Sequence, residues 1–308
     1  MLVTDPGRAM RIFTLGVVLS LIVSGCSDSP ERVPTGPTGP GGVTPRSVGP
    51  AVLVGAGDIA ECGLAGAEAT ARLLDDIPGT VFAAGDNAYY QGSLSQYQQC
   101  YEPSWGRHKS RTRPLPGNHE YETPGAAGYF AYFGDAASPA TEGVYSFDLG
   151  SWHIVALNSN LPIDAGSPQL SWLRSDLAAH PVRCTAAIVH HPLFSSGANG
   201  GDLRTRALWD LLYSEGADLV ISGHDHLYER FAPQDSQGRV EPARGIRQFV
   251  VGTGGAHLSP NVGARANSEA RATVWGVAKF TLVEAGYQWE FIPVAGETFR
   301  DSGADSCH

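Results

Sequence analysis

Short apolar segments recur along this sequence, and most of them end where glycine and a polar residue begin. Four of these segments are Val52–Ala56, Val81–Ala84, Ala186–Val189 and Asp218–Ser222. Helix-like segments lie between some of them, namely Ala65–Ile77, Pro168–Ala179 and Leu203–Ser214. This alternation of strand, polar loop and helix is typical of an α/β fold.

Two further stretches alternate in polarity and turn back on themselves. They are Val144–Leu149 with Trp152–Leu157 around Gly150, and Val277–Val283 with Gln288–Val294 around Gly286. Each predicts a β-hairpin, whose strands are antiparallel. We therefore expect an α/β protein of the α+β four-layer type, in which two mixed β-sheets pack as a sandwich and are flanked by helices.

The N-terminus predicts export. Arg8 and Arg11 precede an apolar run that ends in the motif Val23-Ser24-Gly25-Cys26. A charged start, a short apolar stretch and small residues are typical of a secretory signal peptide, here residues 1–25. The motif also resembles the bacterial lipobox, which implies a lipid on Cys26 and an exported protein anchored to the outer membrane or cell surface. The alternative is an ordinary signal peptide that is cut elsewhere.

Residues 26–49 are rich in Ser, Pro, Gly and Thr, and they predict an extended tether. Residues 50–308 show no internal repeat and no second boundary, so we expect them to form one domain. No apolar run reaches the ~20 residues of a membrane span. A lipid on Cys26 is therefore the only membrane contact that the sequence predicts.

The chain is acidic, with 21 Lys and Arg against 31 Asp and Glu and a formal net charge of −10. Binding along nucleic acid requires a basic surface, so we expect no nucleic-acid partner. One short basic run, from Arg107 to Arg113, stands out against this background. It predicts a solvated loop, and attraction of a phosphate group is the alternative.

Four cysteines remain after Cys26. An even number of cysteines in an exported protein predicts two disulfides, for which three pairings are possible. Cys62 and Cys100 each follow a predicted strand by a few residues, so they are placed to meet at one end of a sheet. Cys184 and Cys307 would then hold the C-terminus. None of the four stands at the spacing of a zinc site.

Five polar loops follow the predicted strands. In chain order they are Gly57-Asp58-Ile59-Ala60, Gly85-Asp86-Asn87-Ala88-Tyr89, Gly117-Asn118-His119-Glu120, His190-His191-Pro192 and Gly223-His224-Asp225-His226. In open α/β sheets, ligands bind at the carboxyl ends of the strands. Oxygen and imidazole ligands without thiolate suit iron, zinc or manganese, and their number here fits two ions rather than one.

These loops, in this order, resemble the motifs of the calcineurin-like metallophosphoesterases, and the match spans nearly all of residues 50–298. Most of that superfamily has a metal-binding His where this chain has Ala60, which cannot bind a metal. The purple acid phosphatase branch instead uses a Tyr three residues after the second Asp, and here that residue is Tyr89. The chain therefore resembles the small single-domain members of that branch, which implies a catalytic domain over residues 50–308.

The resemblance implies a dinuclear metal site at the carboxyl ends of the strands. It assigns Asp58, Tyr89 and His226 to the first ion, Asn118, His190 and His224 to the second, and Asp86 as the bridge. A phenolate ligand favours Fe³⁺ at the Tyr89 site, because a trivalent cation stabilises the charged form of the phenol. The second ion is Fe²⁺, Zn²⁺ or Mn²⁺, and the sequence does not choose among them.

Three more histidines have expected roles around the metals. His119, beside the ligand Asn118, is expected to protonate the leaving alcohol and to be oriented by an acidic neighbour. The alternative is that His119 only orients another group. His191 and His257 are expected to contact the substrate, although a purely structural role for His257 in its glycine-rich loop is the alternative.

The resemblance implies an exported, acid phosphatase-like phosphomonoesterase that acts on small phosphate esters. In that reaction a metal-bound hydroxide attacks phosphorus in line with the leaving alcohol. A phosphodiesterase or a nucleotidase on the same site is the nearest alternative. A surface binding module that has kept the fold and lost catalysis is another, but the complete ligand set argues against it.

Overall fold

The computed structural model describes residues 49–260 and 263–308. The predicted signal peptide at 1–25, the lipid on Cys26 and all but the last residue of the tether at 26–49 lie outside these ranges. Within them, none of the helices combines the length and the hydrophobicity that crossing a membrane requires.

Two sheets form the body of the protein. The strands in the described ranges are β1 (Ala51–Ala56), β2 (Thr80–Ala84), β3 (Thr112–Leu115), β4 (Tyr145–Leu149), β5 (Trp152–Leu157), β6 (Cys184–Val189), β7 (Leu219–Ser222), β8 (Tyr228–Phe231), β9 (Arg247–Val251), β10 (Ser268–Ala272), β11 (Gly276–Val283), β12 (Gly286–Pro293) and β13 (Asp301–Ser306). The first sheet has the order β13-β12-β11-β1-β2-β3, and the second has the order β10-β8-β9-β7-β6-β5-β4.

Both sheets are mixed, as expected. Strands β1, β2 and β3 are parallel to one another, as are β5, β6, β7 and β9. The two predicted hairpins are confirmed as the antiparallel pairs β4–β5 and β11–β12. The second hairpin turns slightly earlier than its sequence pattern indicates, because Gly286 is already paired with Val283 as the first residue of β12.

Five α-helices complete the described part of the fold. They are α1 (Gly66–Asp75), α2 (Leu94–Gln96), α3 (Ala127–Phe133), α4 (Pro168–Ala179) and α5 (Arg206–Ser214). The start of α4 is set by its sequence, since the Ser167 side chain accepts a hydrogen bond from the Leu170 N–H and Pro168 occupies the first helical position. The predicted helix at Leu203–Ser214 begins with a short 3-10 turn before α5.

The core has two layers because side chains alternate along the strands. In β5, Ile154 and Ala156 belong to the apolar cluster that contains residues of both sheets, whereas Val155 and Leu157 belong to a second cluster with α4 and α5. The sheets meet through aromatic side chains, and the rings of Phe249 and Phe280 have centroids 5.0 Å apart. The expected sandwich with flanking helices is confirmed.

The basic run is not the solvated loop that its composition predicts. It lies in a 3-10 helix at Trp105–Arg111 that packs on α1. Arg111 donates hydrogen bonds to the carbonyls of Leu74, Ile77 and Gly79, which satisfies carbonyls at the C-terminal end of α1. Arg107 likewise pairs with acidic side chains of α1. These two arginines therefore hold the C-terminal end of α1. Attraction of a phosphate group by the run stays untested.

Both predicted disulfides are present. Cys62 pairs with Cys100 and Cys184 with Cys307, at Cα–Cα distances of 5.3 and 5.5 Å. Cys184 is the first residue of β6 in the second sheet, and Cys307 follows β13 in the first. The second disulfide therefore joins the two sheets.

Candidate metal centre

The carboxyl ends of five parallel strands supply the side chains of the predicted site. Loops after β1, β2 and β3 carry the residues from the first sheet, and loops after β6 and β7 carry those from the second. Because the two sheets face each other, these loops converge at one end of the sandwich. The structure thus brings all seven predicted ligands together.

The loops hold their residues in unusual backbone conformations. Asp58, Asp86 and His224 have φ of 58°, 51° and 73°, in the left-handed region that residues other than glycine rarely adopt. Such strain concentrates at functional sites. The loops also approach one another closely, since a Cβ atom on Gly117 would lie 2.1 Å from Oδ1 of Asp86. Glycine is therefore required at position 117.

The first half of the centre is built around the phenol of Tyr89. Its oxygen lies 2.8 Å from Oδ1 of Asp58 and 3.0 Å from Nε2 of His226. The His226 Nδ1–H donates to the carbonyl of His257, so Nε2 is the nitrogen that faces the centre. These three donor groups converge as ligands of one metal ion do.

The second half is built around the side-chain carbonyl of Asn118. Its Oδ1 atom lies 3.1 Å from Nε2 of His190 and 2.9 Å from Nδ1 of His224. The other ring nitrogen of His190 donates to the carbonyl of Ala84 at 2.8 Å, which again points Nε2 into the centre. An amide oxygen and two imidazole nitrogens therefore surround this half.

Asp86 lies between the two halves. Its Oδ2 atom is 3.4 Å from the Tyr89 oxygen and 3.2 Å from Nε2 of His190. Its Oδ1 atom accepts a hydrogen bond of 2.8 Å from the backbone N–H of His119. One carboxylate oxygen thus contacts a donor of each half, which is the arrangement a bridging ligand needs.

Electrostatics show that this cluster is short of positive charge. Asp58 and Asp86 are buried without a Lys or Arg partner among the described residues. Burial opposes protonation of His190 and His226, but the Asp86 and Asp58 carboxylates outweigh it and raise the pKa of both rings to about 9. Burial and the same carboxylates raise the pKa of Tyr89 far above its ordinary value. A phenolate at Tyr89 therefore requires added cations, and the donor set fits two metal ions.

Comparison with known proteins agrees with this geometry. The family model described as calcineurin-like phosphoesterase matches residues 51–228, which is more than half of the chain. The chain belongs to the calcineurin-like phosphoesterase family. Membership implies a dinuclear metal site, as the geometry already indicates.

The sequence relatives of this chain include plant purple acid phosphatases. Purple acid phosphatase 21 of Arabidopsis thaliana is 31% identical over 236 residues, which cover 69% of this chain and 52% of that protein. Purple acid phosphatase 15 of the same plant is 30% identical, over 60% of this chain and 41% of that protein. The chain spans about half the length of the curated relatives it matches.

Solved structures share the fold of this chain. A purple acid phosphatase from yellow lupin seeds, PPD1, superposes with a TM-score of 0.66 at 22% identity, over 83% of this chain and 54% of that one. GAP50, described as the anchor in the inner membrane complex of Plasmodium, gives a TM-score of 0.64 at 14% identity, over 84% of this chain and 89% of that one. At these identities the likeness concerns the fold alone.

His119 lies at the rim of the candidate metal centre. Its Nδ1–H donates to the carbonyl of Tyr90 at 2.6 Å, and its Nε2 lies 3.9 Å from Oδ2 of Asp86. A backbone carbonyl therefore holds one side of the ring, and the Asp86 carboxylate lies near the other. Orientation of His119 by an acidic neighbour stays a prediction. The adjacent Glu120 side chain turns away from the ring and into the interior.

The structure also places His191 and His257 beside the centre. His191 is buried, with its ring centroid 4.4 Å from that of His224, and burial and the neighbouring histidines lower its pKa to about 2. His257 is exposed, and its ring centroid lies 4.6 Å from that of His226. Their roles as substrate contacts stay predictions.

Sequence reasoning missed the role of Glu120. This buried carboxylate accepts hydrogen bonds from the backbone N–H groups of Asp86, Asn87 and Gly117 and from the hydroxyl of Tyr97. It thereby ties the loop after β2 to the loop after β3. The only signal in the sequence is its position in a polar loop, which does not reveal the direction of its side chain.

Proposed function

We propose that this protein is an exported phosphomonoesterase, an acid phosphatase-like hydrolase that acts on small phosphate esters. The observation that carries the proposal is the position of Asp86 Oδ2, within 3.4 Å of the Tyr89 oxygen and 3.2 Å of His190 Nε2. That contact makes the two halves one dinuclear centre. Family membership and the purple acid phosphatase relatives support the same reaction class.

The proposed ligands are those that the resemblance implies. Fe³⁺ at the first half and Fe²⁺, Zn²⁺ or Mn²⁺ at the second would be held by Asp58, Tyr89 and His226, by Asn118, His190 and His224, and by Asp86 between them. When bound, such a pair of cations lowers the pKa of a water molecule and offsets the negative charge on the phosphoryl oxygens.

The protein's own contribution is to hold the reacting groups and to move a proton. A water molecule first gives up one proton to solvent, and as the resulting hydroxide oxygen bonds to phosphorus, the ester P–O bond breaks and its electron pair stays on the leaving oxygen. The Nε2–H of a protonated His119 donates its proton to that oxygen, which departs as an alcohol. The partly exposed position of His119 at the rim suits it to meet a leaving group that projects towards solvent.

The experiment is a substrate panel on the purified, metal-loaded protein with measured metal content. A monoester (p-nitrophenyl phosphate), the corresponding bis-ester and a nucleoside monophosphate separate the three enzyme candidates. We expect the monoester to be hydrolysed with the highest kcat/KM. Preference for the bis-ester or the nucleotide would replace the proposal by its nearest alternatives. Metal-loaded protein that hydrolyses none of them would support a binding module.

Export through a lipid anchor is part of the proposal. The motif ending in Cys26 motivates it, and two disulfides suit an oxidising compartment. We expect the wild-type protein in the membrane fraction, with a lipid-modified N-terminus by mass spectrometry, and Cys26→Ser without the lipid. Wild-type protein that is soluble and free of lipid would contradict the anchor without affecting the proposed reaction.

A further inference from the structure

We infer that Glu61 is a positioning residue that holds both the proton donor His119 and the metal ligand His226 in place. The inference rests on the proposed function, and it assigns a role to a carboxylate outside the predicted ligand set. Glu61 follows Ala60 in the loop after β1, and its side chain is 13% exposed.

Glu61 is bonded to two residues at the rim. One carboxylate oxygen accepts from the backbone N–H of His257 at 3.0 Å and from its Nδ1–H at 2.8 Å. The other accepts a short hydrogen bond from the phenol of Tyr90. Burial raises the pKa of Glu61, but the hydrogen bonds from Tyr90 and His257 outweigh it, so the group stays an anion at neutral pH.

The same two rim residues orient the catalytic groups through their backbone carbonyls. The Tyr90 carbonyl accepts from Nδ1 of His119, and the His257 carbonyl accepts from Nδ1 of His226. In both rings the nitrogen left over, Nε2, faces the centre. A single carboxylate therefore lies two hydrogen bonds away from the proton donor and from a ligand of the first half.

Glu61 matters because the rim residues are otherwise weakly held. Tyr90 is 48% exposed and the His257 side chain is 57% exposed. Within residues 49–260 and 263–308, Glu61 is the only hydrogen-bond partner of either side chain. The next residue, Cys62, is fixed by its disulfide to Cys100, so Glu61 itself projects from an anchored loop.

The role makes a specific kinetic prediction. A misplaced His119 fails to protonate the leaving oxygen, which matters for an alkyl alkoxide and hardly at all for p-nitrophenolate, since that anion departs without a proton. A misplaced His226 loosens the first metal ion, because groups that orient a ligand typically change metal affinity by roughly 10–100-fold. Replacing Glu61 should therefore lower kcat more for esters whose leaving group needs a proton. It should also weaken the retention of metal.

The experiment compares Glu61→Ala, Glu61→Gln and Tyr90→Phe with a control, Glu290→Ala, which removes an exposed carboxylate of β12. For Glu61→Ala we expect kcat on an alkyl phosphate to fall about tenfold or more, with little change in KM and a several-fold smaller loss on p-nitrophenyl phosphate. Metal should be lost faster to a chelator. Glu61→Gln should show smaller defects, and Glu290→Ala none.

Tyr90→Phe separates the two branches, because it breaks only the link towards His119. We expect it to reproduce the dependence on the leaving group without faster loss of metal. Equal losses on both substrates, together with unchanged retention of metal, would overturn the positioning role. Wild-type protein inactive on every ester would instead refute the proposed function, and the chelator experiment would still decide the link to His226.

Discussion

The two halves of the metal centre are built to the same plan but differ in charge and exposure. The first half combines Asp58, the Tyr89 phenol and His226, all of them buried. The second combines an amide and two imidazoles, and two of its side chains, Asn118 and His224, are partly exposed. The first half therefore offers more negative charge to a bound cation than the second half does.

The two halves also differ in how far their side chains are exposed to solvent. The donors of the first half are buried, and the Tyr89 ring lies against that of His119, with centroids 4.5 Å apart. The second half is partly exposed and lies next to His191. Substitutions in and around the centre should show whether the two halves can be disturbed separately.

Replacing the shared carboxylate of Asp86 should disable both halves of the centre. In Asp86→Ala both halves lose a donor, so we expect activity to fall to background and the content of at least one metal to drop. The exposed Asp76→Ala is the matched control. Metal analysis with the ester assay checks this, and a fully active Asp86→Ala variant would refute the assignment of the whole centre.

Replacing His224 should disable the second half alone. Loss of a group that only orients a ligand weakens metal binding by roughly 10–100-fold, so loss of a ligand should weaken it more. We expect His224→Ala to lose the second ion and most activity, while the first ion and any visible absorption remain. His308→Ala, at the other end of the sandwich, is the control. Loss of both ions together would mean that the halves are not independent.

Replacing Tyr89 should remove the visible absorption of the iron-loaded protein. Phenolate bound to Fe³⁺ absorbs visible light by charge transfer, so iron-loaded protein should be coloured and Tyr89→Phe colourless. We expect activity to fall about tenfold, since other ligands still hold the ion. Tyr101→Phe, another buried tyrosine, is the control. A colourless, iron-free and fully active wild-type protein, unchanged by Tyr89→Phe, would show that the phenol only packs over another pair of metals.

The smallest effect on the centre should come from the disulfide at the opposite end. Removing Cys184 and Cys307 together should lower the free energy of unfolding by about 2–5 kcal/mol and leave metal content unchanged. The second pair, Cys62 and Cys100, spans 38 residues rather than 123, so its loss should cost about 1 kcal/mol less. Urea unfolding of both double Cys→Ala variants measures this, and metal loss on removing the Cys184 pair would contradict it.

Elements with a strong local pattern could be predicted from the sequence. The alternation of Val144–Leu149 and Trp152–Leu157 gave the hairpin, and export with an even cysteine count gave two disulfides. The predicted ligands lie close together because each follows a parallel strand, and the carboxyl ends of parallel strands lie at the same edge of a sheet. Their identity as ligands came from motif resemblance, and the assignment stays a prediction.

Roles that depend on side-chain direction could not be predicted. Glu120 and Glu61 are close in sequence to predicted ligands. Each accepts hydrogen bonds from a different loop, whose position the sequence does not reveal. The sequence predicts a solvated Arg111, because the partners of its side chain are backbone carbonyls more than thirty residues earlier. Backbone carbonyls are present in every residue and so carry no sequence signature. The contact that holds Nδ1 of His119 has no sequence signature for the same reason, since the partner is the Tyr90 carbonyl.

The Cys184–Cys307 disulfide has a consequence for how the sandwich opens. It joins the two sheets at the end where β6 begins, while the proposed ligands join them at the end where β6 finishes. The disulfide is a covalent connection, whereas the connection at the other end depends on the proposed cations. Removing the cations should therefore free the end with the ligands while the end with the disulfide stays closed. Amide hydrogen exchange should then accelerate in the loops after β1, β2 and β7, whereas β13 and the start of β6 keep the protection of the metal-loaded protein.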